Sequence, residues 1–216
     1  MKGIVFDFDG VLADSEPLHL STYQEVLAPL GVALTHEDYY TNYLGYSDED
    51  VFVRLGAAKG WTMDARKVAA LIDEKTRVFD AIIGRTDVLY PGATECIERL
   101  ASVFPLGIAS GALRHEIEMI LKRARLDQHF RFIVGSGDTP RSKPAPDPYL
   151  RAAELHGLPP SACVAIEDSR WGVESARAAG MMCVAITNTY PADQLTAADI
   201  VITSLEEFTS ELIARL

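Results

Sequence analysis

Six short runs rich in apolar and β-branched residues are spread along the 216 residues, and their spacing limits the fold more than any other feature. They are Gly3 to Phe6, Leu106 to Ala109, Phe132 to Gly135, Cys163 to Ile166, Met182 to Ile186 and Ile200 to Ile202. Between the later runs, apolar residues recur three and four apart, at Ala93, Cys96, Ile97 and Leu100 and again at Leu113, Ile117, Ile120, Leu121 and Ala124. That spacing makes one apolar stripe on a helix, so strands and helices alternate, the pattern of a parallel sheet covered by helices. Gly180, after Val173 to Ala179, reads as a helix stop. Leu205, Phe208, Leu212 and Leu216 read as one closing helix.

One connection is out of proportion. A parallel crossover needs a dozen or more residues, yet the second run does not arrive until Leu106. The intervening segment has its own helical patterning. Leu20, Tyr23, Leu27 and Leu30 share one face, and Val68, Leu71, Ile72 and Phe79 another. Ser47-Asp48-Glu49-Asp50 reads as a helix start, with Ser47 as cap and Asp50 near the positive end of the dipole. These patterns predict a small helical domain, residues 16–85, inserted into an α/β core made of residues 1–15 and 86–216.

The first run leads into an acidic doublet, Asp7-Phe8-Asp9-Gly10. In an extended segment alternate side chains share a face, so Asp7 and Asp9 can point one way while Phe8 enters the core. Two carboxylates about 4 Å apart repel by roughly 4 kcal/mol at the effective dielectric near a protein surface. A divalent cation with oxygen ligands would offset that repulsion. Gly10 allows a sharp turn behind the doublet.

Charge narrows the partners. With 31 acidic and 20 basic residues the net charge is −11, which disfavours nucleic acid and anionic membranes as partners. An anionic substrate would need local positive charge or a metal. No apolar run is long enough to cross a bilayer, and no stretch resembles a secretory signal. Cys96, Cys163 and Cys183 are odd in number and widely spaced, which fits buried thiols in a reducing, cytoplasmic setting. No motif fixes the oligomeric state; a monomer or weak homo-oligomer is expected.

In open parallel sheets, ligands bind beyond the carboxyl ends of the strands, so strand ends are read together. The first ends in Asp7 and Asp9; the second ends in Ser110-Gly111-Ala112 before a helix, where a hydroxyl and backbone N–H groups can hold an anion. The fourth ends in Glu167-Asp168-Ser169, preceded by a proline-stiffened loop, Ser142-Lys143-Pro144-Ala145-Pro146-Asp147-Pro148. Several carboxylates, one ammonium and one hydroxyl beside a helix start are the ingredients of metal-assisted phosphoryl transfer. Singly, each has a plainer reading as turn, solvated loop or helix cap.

In this order the motifs resemble the haloacid dehalogenase-like hydrolase superfamily, especially its β-phosphoglucomutase and phosphoglycolate phosphatase-like branch. The resemblance spans the chain: the Asp-Phe-Asp-Gly-Val opening with Asp14-Ser15-Glu16, the Ser110 step, Lys143-Pro144, and Glu167-Asp168-Ser169 with Gly172 and Ala178-Ala179-Gly180. It implies a Rossmann-like core with an α-helical cap. It further implies Asp7 as nucleophile, Asp9 as general acid and base, and Mg2+ held by the carboxylates of Asp7 and Asp168 and the carbonyl of Asp9. Glu167 would be a further ligand or support a ligand. Ser110, the Gly111 and Ala112 N–H groups and Lys143 would bind the phosphoryl oxygens. Family resemblance places specificity in the cap, where Glu16, His19, Gly45 and Tyr46 are candidates.

The expected activity is a Mg2+-dependent phosphatase acting on a small phosphate ester: a sugar phosphate, sugar-alcohol phosphate or phosphoglycolate-like acid. Two alternatives stay open, a β-phosphoglucomutase-like phosphomutase and a non-catalytic, phosphate-responsive binding module. Leu44 and Asp48 stand where β-phosphoglucomutases carry basic residues, and an acidic cap loop is a poor partner for a second phosphate. Tyr39, Tyr43 and Tyr46 share a stripe if their helix persists, and can stack on a sugar or pack the cap.

Overall fold

The computed structural model describes residues 2–43, 46, 48–83 and 86–216. It divides into two compact units, one made of residues 1–14 and 88–216 and the other of residues 15–87.

The first unit is built on six parallel strands: β1 (Gly3–Phe6), β2 (Leu106–Ala109), β3 (Phe130–Val134), β4 (Cys163–Glu167), β5 (Met182–Ile186) and β6 (Ile200–Ile202). Their order across the sheet is β3-β2-β1-β4-β5-β6, every pair parallel. This is a Rossmann-like α/β sheet. The chain winds outward from β1 to β3, then returns to the other side of β1 with β4, so the order reverses at β1 and β4. Ligands in such sheets bind at that reversal, beyond the carboxyl ends of the strands.

The central strands are buried on both faces, which is why they read as continuous apolar runs. Five helices accompany them: Ala93–Ala101, Arg114–Ala124, Asp147–His156, Arg170–Ala178 and the short Ser210–Ala214. Ala93, Cys96, Ile97 and Leu100 are all buried, as their spacing requires. All three cysteines are buried free thiols.

The third strand and the closing helix depart from the sequence expectation. The third strand starts at Phe130 and stops at Val134. As an edge strand it is only half-buried at Phe130, Phe132 and Ile133 and carries the exposed Arg131, so its start is not marked by a continuous apolar run. Gly135 turns its N–H to Asp138 Oδ2, 2.8 Å away, and leaves the ladder. The closing helix is broken: a single 3-10 turn spans Leu205–Glu207, and a new helix begins at Ser210. Thr209 causes the restart, its Oγ1 accepting the Leu212 N–H at 3.2 Å as an N-cap.

The second unit is all helical: Glu16–Leu27, His36–Asn42, Asp48–Lys59 and Ala65–Ile83. Leu20, Tyr23, Leu27, Tyr39, Phe52 and Val78 belong to its core. Leu30 falls in a 3-10 turn after the first helix and is exposed, contrary to the stripe drawn for it. Ser47, expected as a cap, lies outside the described residues.

Candidate active site

β1 stops at Phe6, so the acidic doublet is not extended as expected; Asp7 begins the turn that follows. Register sets its neighbours. Phe6 pairs with Ile166, which places Asp7 level with Glu167, the last residue of β4. Asp7 N–H still bonds to the Ile166 carbonyl at 2.9 Å, and Asp7 Oδ1 accepts the Phe8 N–H at 2.7 Å. Phe8 is fully buried, as expected. Gly10 then adopts φ +76°, and its missing Cβ is essential: a carbon there would lie 1.9 Å from Asp168 Oδ2.

Carboxylate oxygens of Asp7, Glu167 and Asp168 lie within 4.8 Å of one another, all buried. The Asp9 carboxylate does not join them; the Asp9 backbone forms an isolated bridge with Ala13. Among the described residues, one cation reaches the cluster. Lys143 Nζ is 3.0 Å from Asp7 Oδ1 and 2.6 Å from Glu167 Oε1. Its loop is held by Ser175, whose hydroxyl donates to the Ala145 carbonyl at 2.5 Å.

Glu167 is saturated by protein donors. Oε1 accepts from Lys143 and from the buried Tyr149 hydroxyl, each at 2.6 Å; Oε2 accepts from Asp168 N–H and Ser169 Oγ, each at 3.3 Å. A Cβ on Gly172 would stand 1.9 Å from that carboxylate, so the helix can pass only as glycine. Ser169 also caps this helix, its Oγ accepting Gly172 N–H at 3.1 Å.

Three buried carboxylates against one ammonium leave an excess of negative charge, and the proton affinities register it. Burial, then the charge of Asp7, pushes Glu167 up to about 7 despite Lys143. Burial and the charges of Asp7 and Glu167 hold Asp168 well above the usual carboxylate range. Burial alone would lower Lys143, but the charges of Asp7 and Glu167 outweigh it and raise the ammonium above its ordinary value. A hard divalent cation among these oxygens would relieve the excess, so the donor set fits Mg2+.

Ser110 follows β2 directly at the same sheet edge and is buried. Its N–H bonds to the Val134 carbonyl at 2.9 Å, and its Oγ accepts the Ala112 N–H at 3.2 Å. That Ala112 donor is therefore engaged within the loop. Gly111 faces open space, with nothing within 4 Å of where a Cβ would sit.

The remaining candidates belong to the helical unit. Glu16 Oε2 accepts the Tyr39 hydroxyl at 2.7 Å. His19 Nδ1 lies 3.0 Å from Lys75 Nζ, and its ring stacks on Phe79 at 4.7 Å. Lys75, almost fully buried, also pairs with Asp48 at 3.1 Å, and Asp48 accepts the Tyr23 hydroxyl at 2.5 Å. The second helix ends at Asn42, so the tyrosine stripe does not reach Tyr46. Tyr39 and Tyr43 are buried, whereas Tyr46 is exposed beneath the Arg54 guanidinium, 3.9 Å from its ring. Gly45 and Leu44 lie outside the described residues.

Three residues of the cluster's surroundings went unread in the sequence. Tyr149 sits two residues beyond Asp147 and would be singled out only by asking what a buried Glu167 bonds to. Asn188 and Thr189 follow the fifth strand, whose end carries no charged residue to mark it: Asn188 Nδ2 donates to the Gly10 carbonyl at 2.8 Å, and Thr189 Oγ1 and Asp168 Oδ2 both close on Gly10.

The sequence model of the haloacid dehalogenase-like hydrolase family matches residues 4–186. The chain is 34% identical to Protein CbbY of Rhodobacter capsulatus, over 100% of this chain and 99% of that protein. It is 29% identical to hexitol phosphatase B of Escherichia coli (strain K12), covering 96% and 94%, and 27% identical to β-phosphoglucomutase of Bacillus subtilis (strain 168), covering 99% and 94%. Among solved structures it resembles a mutant form of CbbY from Rhodobacter sphaeroides in complex with xylulose-(1,5)bisphosphate, with TM-score 0.83, 25% identity and 96% of each chain covered. The chain belongs to the haloacid dehalogenase-like hydrolase family.

Proposed function

We propose that this chain is a Mg2+-dependent phosphatase acting on a small phosphorylated metabolite, a sugar or sugar-alcohol phosphate foremost. The observation that carries the reading is the convergence of Asp7, Glu167 and Asp168 with Lys143 at the reversal point of the sheet. Relatives named for hexitol phosphatase activity and a CbbY structure holding a sugar bisphosphate support the substrate class.

In this reading Asp7 attacks phosphorus and becomes an aspartyl-phosphate, while Asp9 protonates the leaving alkoxide and later takes the proton from the attacking water. Lys143, Ser110 and the Gly111 N–H bind phosphoryl oxygens as charge shifts among them. Asp7, Asp168 and the Asp9 carbonyl would hold Mg2+, which when bound supplies positive charge against the phosphoryl group and the nucleophile. Glu167, already taken up by four protein donors, fixes Lys143 rather than ligating. The helical unit, residues 15–87, serves as cap and substrate selector.

The phosphomutase reading has the β-phosphoglucomutase relative in its favour. Against it, Asp48 is a carboxylate held by Lys75 and Tyr23 where those enzymes carry a base, so the second phosphate loses a partner. The test is direct: Asp7→Asn should abolish release of phosphate from an aryl phosphate, EDTA should abolish it in the wild type, and Mg2+ should restore it. Ranking sugar and sugar-alcohol phosphates by kcat/KM, while following both phosphate release and isomerisation, separates phosphatase from mutase. Turnover by folded Asp7→Asn protein at the wild-type rate would sink the nucleophile assignment.

A further inference from the structure

The exit of β5 reaches the candidate active site through two side chains that no motif of the sequence marks. β5 lies next to β4, with Glu167 paired to Ala185, so the chain leaving Ile186 passes beside Asp168. Asn188 donates its side-chain amide to the Gly10 carbonyl at 2.8 Å. The Thr189 Oγ1 stands 2.8 Å from the point a Gly10 Cβ would occupy. Asp168 Oδ2 is 1.9 Å from that same point. The β1 turn, the Asp168 carboxylate and the β5 exit therefore close around Gly10, leaving room for a hydrogen atom and nothing larger.

A carboxylate at a strand end has two rotatable bonds, and convergence with Asp7 needs one setting of them. Glu167 has four donors to fix it; the Asp168 side chain has the Thr189 hydroxyl beside it where both close on Gly10. The turn carrying Asp9 is in turn held at the Gly10 carbonyl by Asn188. We propose that Thr189 and Asn188 are positioning residues for the divalent cation: Thr189 sets the Asp168 carboxylate, and Asn188 sets the Asp9-Gly10 turn whose carbonyl would be its neighbour in the ligand set. This rests on the Mg2+ reading given above. Thr189 is exposed, so the hydroxyl can be removed without disturbing the core.

The test is calorimetric titration of Mg2+ alone into wild-type protein, T189V, T189S and N188A, with no substrate present. Groups that orient metal ligands typically contribute about 10–100-fold to affinity, so T189V should raise the Mg2+ Kd about tenfold or more. T189S keeps the hydroxyl and should stay within about twofold of wild type. N188A should weaken Mg2+ while leaving the thermal midpoint of the metal-free protein within a few degrees, about the change expected for one lost side-chain hydrogen bond. T189V binding Mg2+ as tightly as wild type would overturn the role of Thr189 and leave the cation reading standing. Wild-type protein with no measurable Mg2+ affinity would overturn both.

Discussion

Lys143 Nζ lies 2.6 Å from Glu167 Oε1, the same oxygen that receives the Tyr149 hydroxyl at 2.6 Å. The lysine is thereby fixed from behind while its other contact, Asp7 Oδ1 at 3.0 Å, faces the cluster. A charged side chain normally loses conformational freedom when it binds an anion; here that ordering is done in advance by the fold.

Removing this cation tests the site most severely. Lys143→Met should lower kcat/KM for a phosphate ester by about 10²–10³-fold, the range for deleting one preorganised donor to a charged transition state. The protein should also become less stable at neutral pH, because three buried carboxylates lose their one close ammonium. Steady-state kinetics with a thermal melt would check both, and a variant of unchanged kcat/KM would remove Lys143 from the phosphate site.

Tyr149→Phe isolates the support behind the lysine. The hydroxyl is fully buried and its loss leaves Glu167 Oε1 with Lys143 alone. A buried acceptor deprived of a donor costs about 1–3 kcal/mol, which for a chain of this size lowers the melting midpoint by several degrees. An unchanged midpoint would mean that water replaces the hydroxyl, which the burial of Glu167 argues against.

The parts of this site legible in the sequence share a physical property. Asp7, Lys143, Glu167 and Asp168 are charged residues at the ends of apolar runs, where a charge is conspicuous because the core nearby excludes it. Tyr149, Asn188 and Thr189 are not conspicuous in that way: a tyrosine on an amphipathic helix and polar residues after a strand are ordinary, and their roles arise only when later elements fold back on β1 and β4. The same divide holds for the fold. Doubly buried strands such as β4 announce themselves as apolar runs, whereas the edge strand β3 is largely half-buried and has the exposed Arg131 near its start, so its first two residues do not read as strand. The helical unit was legible as a unit because its insertion is too long for a crossover; the end of its second helix at Asn42 was not, since the tyrosine spacing continued beyond it.

Gly172→Ala sets two known effects against each other. Alanine favours a helix over glycine by about 1 kcal/mol. The new methyl, however, would stand 1.9 Å from the Glu167 carboxylate, which its four donors hold in place. Overpacking costs about 1–3 kcal/mol and here also pushes Glu167 against Lys143, so the clash wins. The variant should melt below wild type and lose turnover of a phosphate ester together. A variant more stable than wild type would show that the carboxylate can retreat.

The helical unit carries its own pH dependence, centred on His19. Burial, and after it the adjacent Lys75 charge, lowers the His19 pKa to about 3, with Asp48 opposing the shift. The ring is therefore neutral in the fold at neutral pH, with Nδ1 receiving Lys75. In the unfolded chain it takes a proton near pH 6.5. Because the folded value is depressed, the unfolded state binds more protons between the two values. His19 therefore stabilises fully above about pH 6.5, and that contribution is lost progressively as pH falls toward 3. At pH 5 the loss approaches about 2 kcal/mol, taking 1.36 kcal/mol for each unit below the unfolded value. His19→Gln keeps an acceptor for Lys75 but cannot titrate, so its melting midpoint should fall less than that of wild type between pH 7 and pH 5. Carboxylates elsewhere contribute equally to both proteins and drop out of the comparison. Parallel pH profiles for the two would mean that His19 takes its proton without unfolding the helices, and that Asp48 rather than burial governs its charge.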